Sequence, residues 1–325
     1  MNKISQRKVS AAIRKHKSFL ITTHTSPEGD ALGSELGLYF LLKKMNKRVF
    51  IVNQDPLPQE LSFLPGADCI KLYKENNKIS FDCMVALDCS HLSRAGDVYK
   101  LNSKSRPVIN IDHHISNNNF GDYNWVEPHL SSASEMVYLL YKEMGIAFDR
   151  KSALSLYVGI MTDTGSFRYS NTSELTHRAA AEFMRLGLDI NMVYRDIYEN
   201  VSFPDMQLLI KILSGVVRAK NGKVVYVSVP AGLLKHRKVS FDLSEHILGF
   251  MRAIKDAQVA VLFKENIGVK NEIRFNLRSN GSFDVNKIAQ YFGGGGHKNA
   301  SGCTIKGRLA DIRRKVISRI IKSLK

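Results

Sequence analysis

Residues 20–30 read Leu20-Ile21-Thr22-Thr23-His24-Thr25-Ser26-Pro27-Glu28-Gly29-Asp30, an apolar strand that leads directly into one imidazole and two carboxylates. The Pro/Gly turn ends the strand, so these polar side chains are predicted to lie at its carboxyl end, where open α/β sheets place their sites. Imidazole and carboxylate ligands without a thiolate suit Mn²⁺, Mg²⁺ or Fe²⁺. A solvated loop is a common alternative, so a metal site requires further ligands elsewhere in the chain.

Two further predicted strands end in the same way. Cys83–Asp88 is a nearly continuous apolar run that ends in a carboxylate, and residues 107–112 repeat this design before His113 and His114. Apolar runs without alternation, separated by helical segments, indicate a parallel sheet covered on both faces. Because the carboxyl ends of parallel strands meet at one edge of a sheet, the ligand-type side chains of all three strands are expected to lie together.

The chain of 325 residues is long enough for two domains with separate cores. We predict an α/β domain over 1–195, a helical linker over 196–220 and a smaller α/β domain over 221–325. The predicted helices cover 5–16, 31–45, 131–145, 150–161, 173–187, 189–199, 203–220, 243–254, 284–292 and 308–325. Strands are predicted at 48–53 in the first domain and at 223–229, 257–265 and 271–278 in the second.

The composition is that of a soluble globular protein with a basic surface. The formal net charge is +17, and 44% of the residues are hydrophobic. This charge favours a polyanionic partner such as nucleic acid or nucleotides, and a basic surface that only keeps the protein soluble is an equal alternative. The four cysteines lack the spacing of a zinc knuckle and are expected to be reduced thiols. Without a signal sequence or an apolar run of about 18–20 residues, we expect a cytoplasmic protein that does not enter a membrane.

The C-terminal segment, 308–325, has apolar residues at helical spacing with arginines and lysines between them. A basic amphipathic helix can bind nucleic acid or a membrane. We favour the alternative, an ordinary packing helix with a solvated basic face.

The candidate ligands are numerous enough for two metal ions. A pair of divalent ions roughly 3.5–4 Å apart needs one bridging carboxylate, and together the ions activate a hydroxide for in-line attack on phosphorus. Asp88, alone at the end of a central strand, is the natural bridge, and a neighbouring histidine can contact a phosphoryl oxygen or protonate the leaving group. An Asp in the turn after 150–161 is more often a cap than a ligand. The full set of candidates is His24, Glu28, Asp30, Asp88, Asp112, His113, His114 and Asp163.

Five motifs in this order resemble those of the DHH phosphoesterase superfamily, and the resemblance covers nearly the whole chain. They are His24-x-x-Pro-Glu-x-Asp-Ala-x-Gly-Ser, Asp88, Asp112-His113-His114, Thr162-Asp163-Thr164-Gly165 and Gly293-Gly-Gly-Gly-His297-Lys-Asn-Ala-Ser-Gly302, the last similar to the glycine-rich motif of the DHH-associated C-terminal domain. Within the superfamily, the chain is most similar to the bifunctional oligoribonucleases that also dephosphorylate 3′-phosphoadenosine 5′-phosphate (pAp).

The resemblance implies a role for each matching residue. One ion would be held by His24, Glu28 and Asp88, and the other by Asp30, Asp88, His113 and Asp163. His114 would contact the scissile phosphate, with Asp112 orienting the histidine pair. Glu28 departs from the family, which usually has Asp at this position, and its side chain, one methylene longer, would ligate by a shift of the loop.

Several residues are candidates for substrate contacts. Arg94 is a candidate phosphate contact, with simple surface charge as the alternative. Residues without Cβ let backbone N–H groups surround an anion, so Gly294, Gly295 and Gly296 are predicted to bind phosphate, and His297 and Arg278 would add charged hydrogen bonds. A flexible linker is the alternative. The resemblance implies that this domain recognises the terminal phosphate and base, with the active site in a cleft between the two domains.

The expected function is a Mn²⁺-dependent phosphoesterase that hydrolyses short RNA oligonucleotides to mononucleotides and converts pAp to AMP. Mg²⁺ and Fe²⁺ remain alternatives for the two ions, and a homodimer is possible. Alternative substrates are cyclic dinucleotides or linear dinucleotides of the pApA type. A RecJ-like exonuclease is disfavoured because no additional nucleic-acid-binding module remains, and a family II pyrophosphatase because of the glycine-rich histidine motif. A nucleotide- or RNA-binding regulator without catalysis is favoured only by Glu28.

Overall fold

The computed structural model describes residues 3–76, 78–234, 243–266 and 268–324. The chain folds as two compact units, Met1–Glu199 and Asn200–Lys325. Within the described residues, no helix combines the length and the apolar content needed to cross a membrane.

The first unit is built on a parallel sheet, as the uninterrupted apolar runs predict. The central strands β1, β4 and β5 are buried along their whole length, which requires cover on both faces. The order across the sheet is β3-β2-β1-β4-β5-β6, and every neighbouring pair is parallel. The strands are β1 (Ser18–Thr22), β2 (Arg48–Asn53), β3 (Ile70–Leu72), β4 (Cys83–Leu87), β5 (Val108–Asp112) and β6 (Tyr123–Val126).

In the part of the first unit that the structure describes, six α-helices accompany this sheet, and each coincides with a helix predicted from the sequence to within a few residues at its ends. The short edge strands β3 and β6 are not predicted, because three and four residues are too few to show a periodicity. The helices are α1 (Lys3–Lys15), α2 (Gly29–Lys44), α3 (Ala133–Met144), α4 (Arg150–Asp163), α5 (Glu174–Met184) and α6 (Ile190–Tyr198).

Glycines at intervals of four let α2 and α4 pack unusually close together. Gly29, Gly33 and Gly37 lie on the side of α2 that faces α4, and a Cβ on any of them would overlap atoms of α4. At Gly33 this Cβ would lie 2.5 Å from the carbonyl oxygen of Ser155, a backbone atom that cannot rotate away. The close contact fixes the start of α2 against the end of α4, where Asp30 and Asp163 are located.

We expect Gly33→Ala to destabilise the first unit by about 2–4 kcal/mol, because the two helices must separate to admit one methyl group. The control is Gly249→Ala, since a Cβ at Gly249 meets no atom within 4 Å. This change within a helix should stabilise by about 0.5–1 kcal/mol. Urea unfolding of both variants measures the difference, and equal stabilities would show that the helices adapt to the methyl group.

The second unit contains a mixed sheet with the order β11-β12-β10-β9-β8-β7. Among the described strands, β8 and β9 pair in parallel and the other neighbours are antiparallel. Its elements are α7 (Phe203–Leu213), β7 (Val217–Ala219), β8 (Val224–Val229), α8 (Ala231–Leu234), α9 (Ser244–Arg252), β9 (Val259–Glu265), β10 (Glu272–Ser279), α10 (Val285–Tyr291), β11 (Gly295–Gly296), β12 (Ala300–Lys306) and α11 (Leu309–Ser323).

Each face of this sheet has its own apolar core. One core combines side chains of α10 and α11 with the sheet, and the other combines side chains of α7 and α9 with the opposite face. The buried residues Ile312, Val316 and Ile320 of α11 show that this helix packs against the sheet, as favoured from its amphipathic pattern.

The segment expected to link the domains, 196–220, differs from the prediction in two ways. The single helix predicted over 203–220 is wrong, because α7 ends at Leu213 and β7 follows. In addition, Leu208 and Leu209 of α7 are buried in the core of the second unit, which begins at Asn200. Much of the expected linker is therefore part of the second unit.

Candidate active site

His24 lies two residues beyond β1, with its imidazole turned towards Asp88. Its Nδ1 is 2.8 Å from the carbonyl oxygen of Thr25. A carbonyl oxygen only accepts, so Nδ1 carries a proton, and Nε2, which lies 3.4 Å from Asp88 Oδ2, is the ring nitrogen left for a metal ion. The ring is 4% exposed. His24 is therefore in the tautomer required of a metal ligand.

Asp88 occupies the centre of the site, one residue beyond β4. Its backbone N–H donates to the carbonyl oxygen of Ile111 at 3.0 Å, and its φ of 54° turns the chain sharply at the strand end. Oδ1 lies 3.4 Å from His113 Nε2, while Oδ2 faces His24. Burial disfavours the charged carboxylate, but the two imidazoles outweigh it and hold the pKa of Asp88 well below its ordinary value.

Asp30, in the first turn of α2, is fixed by the start of α3. Its two carboxylate oxygens accept from the backbone N–H groups of Ala133 at 2.7 Å and Ser134 at 2.8 Å. These are N–H groups that a helix leaves without internal partners, and they favour an anion. Burial, with repulsion from the Asp88 carboxylate, nevertheless raises the pKa of Asp30 to about 6.

His113 faces three carboxylates at once. Its Nδ1 is 3.3 Å from the carbonyl oxygen of Leu130, so Nε2 is the ring nitrogen that faces the carboxylates, as in His24. Nε2 lies 3.7 Å from Asp30, 3.4 Å from Asp88 and 3.6 Å from Asp163. Burial opposes a charged ring, but these carboxylates raise the pKa of His113 well above its ordinary value.

The carboxylate of Asp163, the last residue of α4, points into this group rather than capping the helix. Its buried Oδ2 has no hydrogen-bond partner among the described residues, and the same is true of Asp88 Oδ1. Burial raises the pKa of Asp163 well above its ordinary value. Carboxylate oxygens without hydrogen-bond donors beside the Nε2 atoms of two imidazoles are the donor set that a divalent cation satisfies, so these residues fit the metal ions implied by the sequence.

His114 belongs to a hydrogen-bonded chain that the sequence only partly predicts. Its Nδ1 lies 2.7 Å from Asp112 Oδ1, as expected for a carboxylate that orients the ring. The other oxygen, Asp112 Oδ2, accepts from Asn117 Nδ2 at 2.6 Å. Asn117 is held in turn, because its side-chain oxygen accepts from Asn110 at 3.0 Å. Asn117 is absent from the predicted site, since an Asn three residues after His114 in a loop reads as an ordinary turn residue.

Two further predicted residues of the first unit are Glu28 and Arg94. Glu28 is exposed at the start of α2 and makes no capping hydrogen bond. It is absent from the groups whose ligand atoms lie within 4.8 Å of one another, such as Asp30, His113 and Asp163. His24 is absent from these groups as well, so this criterion does not separate Glu28 from the other candidate ligands, and the ligand role of Glu28 stays a prediction. Arg94 is half-buried. Burial lowers the pKa of His24 and the Arg94 charge adds to this effect, but the Asp88 carboxylate outweighs both and raises that pKa above its ordinary value.

The glycine run of the second unit forms a hairpin rather than a linker. β11 pairs Gly295 with Gly302, and a Cβ at Gly296 would lie 2.5 Å from the carbonyl oxygen of Ala300. The N–H of Gly294 donates to the carbonyl oxygen of Ala289 at 2.8 Å, so it already ends α10 and is not directed at an anion as predicted.

The two charged candidates of the second unit are both engaged. Arg278, on β10, bonds through Nη2 to the carboxylate of Glu245, a partner that the sequence analysis did not anticipate. The backbone carbonyl of His297 accepts from the Ser301 hydroxyl at 2.7 Å, which holds the hairpin turn.

Glu35, which lies behind the site on α2, was also missed from the sequence. It is fully buried, and its Oε2 accepts from Asn53 Nδ2 at 2.7 Å. The Asn53 side-chain oxygen lies 3.4 Å from the backbone N of Thr23, the residue before His24. Burial raises the pKa of Glu35 to about 8. No periodic signal marks it, because α2 is apolar nearly all round.

We expect Glu35→Gln to flatten the pH dependence of stability. Between about pH 4.5 and 8, the folded protein keeps the Glu35 proton that the unfolded chain releases, so the free energy of unfolding falls as pH rises through this range. Wild type should lose about 2–4 kcal/mol more than Glu35→Gln between pH 5 and 8. Urea unfolding in EDTA measures both, and parallel curves would contradict the buried carboxyl.

Comparison with known proteins agrees with this geometry. The model of the DHH family N-terminal domain matches residues 18–160, and the DHHA1 domain model matches residues 221–323. The bifunctional oligoribonuclease and PAP phosphatase NrnA of Thermus thermophilus is 33% identical over 290 residues, covering 88% of this chain and 84% of that protein. The Bacillus subtilis protein of the same name is 30% identical over 299 residues, covering 90% and 91%.

A solved structure supports the same assignment. An exopolyphosphatase-related protein from Bacteroides fragilis superimposes with a TM-score of 0.87 at 28% identity, covering 99% of this chain and 96% of that one. The matches span both units and include the strand ends that carry His24, Asp88 and His113. This chain therefore belongs to the DHH family of phosphoesterases, with a DHH domain followed by a DHHA1 domain.

Proposed function

We propose that this chain is a divalent-metal-dependent phosphoesterase that hydrolyses short RNA oligonucleotides to mononucleotides and removes the 3′-phosphate of pAp. The observation that carries the proposal is the Asp88 carboxylate, whose two oxygens face the Nε2 atoms of His24 and His113. A carboxylate between two such ligands suits a pair of ions that share it. The substrates are proposed from similarity to proteins named as oligoribonucleases and PAP phosphatases.

The proposed ligand sets divide the site into two halves. His24 and Asp88 would hold one ion, with Glu28 able to join only if its loop shifts inward. The other ion would be held by Asp30, Asp88, His113 and Asp163. Two Mn²⁺ ions bound there would supply Lewis-acid activation of a water and neutralise charge on the phosphate oxygens.

The protein's own groups would position the substrate and move the proton. Asp112 holds Nδ1 of His114, which leaves the Nε2 side of the ring to meet a phosphate oxygen or to protonate the departing oxygen. The net charge of +17 would concentrate anionic substrates near the protein. Arg94 and the glycine hairpin with His297 and Arg278 stay candidate substrate contacts, although Arg278 would first have to release Glu245.

The direct test incubates the metal-free protein with Mn²⁺ and either diadenylate or pAp, and follows AMP by chromatography. We expect release of AMP from both substrates, and none in EDTA. A linear pApA and a cyclic diadenylate serve as competitors to rank the substrate class. Absence of AMP from diadenylate and from pAp alike would refute the proposal.

Metal content separates an enzyme from a binding protein that has lost catalysis. After Mn²⁺ loading and gel filtration, two ions per chain would support the proposed site, whereas none would support a regulator that only binds nucleotides. One ion per chain would assign the defect to the half of the site that contains Glu28, which Glu28→Asp should then restore.

A further inference from the structure

The exposed face of α11 is basic, and the proposed catalytic function does not use it. The opposite face of this helix is committed to the core through Ile312, Val316 and Ile320. Its solvent-facing side presents arginine and lysine side chains, with aromatic rings beside it. A membrane would require an apolar face free to insert, and the apolar face of α11 is already buried. A polyanion is therefore the ligand chemistry that this surface suits.

Tyr291 forms the first part of this surface. It is the last residue of α10, two positions before Gly293, and it is 62% exposed. The guanidinium of Arg319 on α11 lies over the ring, 4.2 Å from its centroid. Exposed aromatic rings next to guanidinium groups are stacking platforms for the bases of single-stranded nucleic acid.

The second part is a groove of about 630 Å³ on the other side of α11. The Asp311 carboxylate at its end pairs with both Arg308 and Arg314, so one acidic group faces two arginines and the groove keeps a net positive charge. Apolar and aromatic side chains with cations around them suit bases and phosphates together. The lining includes Tyr226, Arg313, Arg314, Ile317, Ile321 and Lys322.

The two parts of this surface meet on α11. The groove, in contrast, lies several strands away from the glycine hairpin. Lys322 follows Arg319 by three residues, so the two cations are neighbours on the surface of α11. Tyr226 lies on β8, four strand positions from β11 of the glycine hairpin. At about 4.8 Å per strand this is a lateral distance of about 19 Å, more than a dinucleotide held at the hairpin can reach.

We propose that Tyr291, Arg319, Lys322, Arg314 and the groove at Tyr226, here called the α11 track, bind the nucleotides of a short RNA beyond the first two. This inference rests on the proposed function, since it assumes that RNA is the polyanion. The affinity of the second unit for RNA should then depend on oligonucleotide length rather than on base sequence. Stacking and phosphate contacts do not depend on base identity.

The experiment measures binding by calorimetry in EDTA, with unlabelled pentaadenylate and diadenylate as probes. For Arg314→Gln/Lys322→Gln we expect pentaadenylate affinity to fall about tenfold and its log–log salt slope to weaken by about 1.4, since a single strand loses about 0.7 per lost phosphate contact. Tyr291→Leu should weaken the same probe about tenfold with the salt slope unchanged. Diadenylate affinity should change less than twofold in both variants.

The matched control is Lys8→Gln/Lys151→Gln, which removes the same charge from exposed positions of the first unit. Equal losses in the control and in the α11 variant would reduce the effect to general electrostatic attraction and overturn the proposal. Equal wild-type affinity for the two probes would also overturn it. If Mn²⁺-loaded wild type releases no AMP from diadenylate or pAp, the proposed function fails. Calorimetry in EDTA still shows whether the α11 track binds RNA, because that measurement does not depend on catalysis.

Discussion

Asp88→Asn is expected to lower phosphoesterase turnover by about 10³-fold or more while the protein stays folded. Asn is a suitable replacement because Asp88 has a φ of 54°, a region that Asn tolerates better than most residues. The amide keeps the size of the carboxylate but removes the charge that faces His24 and His113. Both proposed ion sites share this residue, so a single substitution should affect both.

Loss of metal binding should accompany loss of turnover. Ligands that bind only the folded state raise the melting temperature Tm, so Mn²⁺ should raise the Tm of wild type and have little effect on Asp88→Asn. Asp97→Asn, at an exposed carboxylate paired with Lys100, is the control for removal of a negative charge. A variant that keeps wild-type turnover and a normal Mn²⁺-induced shift would remove Asp88 from the mechanism.

The sequence predicts those residues of the site that lie at the carboxyl ends of strands. His24, Asp88 and His113 each come directly after an apolar run, and parallel strands bring their carboxyl ends to one edge. Asp163 could not be placed this way, because it ends a helix whose approach depends on packing. The four-residue spacing of Gly29, Gly33 and Gly37 was the available signal for that packing.

The hydrogen-bond partners of the polar side chains could not be predicted from the sequence. Arg278 bonds to the Glu245 carboxylate, which comes from an element distant in the chain. Gly294 donates to the Ala289 carbonyl oxygen at a local helix end. Sequence periodicity predicts neither partner. Glu28 illustrates the limit of motif matching. The motif places a carboxylate at this position, but one additional methylene leaves the side chain exposed at the start of α2.

His114→Ala is expected to lower kcat by about 10²–10⁴-fold with a smaller change in metal content. The imidazole is held by Asp112 through Nδ1 at 2.7 Å, and the same atom lies 3.4 Å from Asp88 Oδ1, which leaves Nε2 to face a substrate. Because the proposed roles are contact with the phosphate and donation of a proton, the loss should appear in kcat for both diadenylate and pAp. Loss of bound Mn²⁺ in proportion to kcat would instead make His114 a metal ligand.

Asn117→Ala tests whether the orientation of His114 matters. Without the amide, Asp112 Oδ2 loses the donor at 2.6 Å, and its carboxylate can rotate away from the His114 ring. We expect kcat to fall about 10–100-fold, the usual cost of removing a partner one step behind a functional group. Asn117→Asp should be worse than Asn117→Ala, because it places a second carboxylate against Asp112, whereas Asn117→Gln should recover part of the loss.

The effects of His114→Ala and Asn117→Ala on kcat should not be additive. This non-additivity distinguishes a positioning role of Asn117 from a general loss of stability. If Asn117 acts only by orienting His114 through Asp112, its removal costs nothing more once the imidazole is gone. The double variant His114→Ala/Asn117→Ala should therefore have the kcat of His114→Ala. Multiplied losses in the double variant would show that Asn117 supports the loop independently, through its bonds to Asn110 and to the carbonyl oxygen of Cys89. The hydrogen-bonded chain from Asn117 to His114 would then stabilise the fold without directing catalysis.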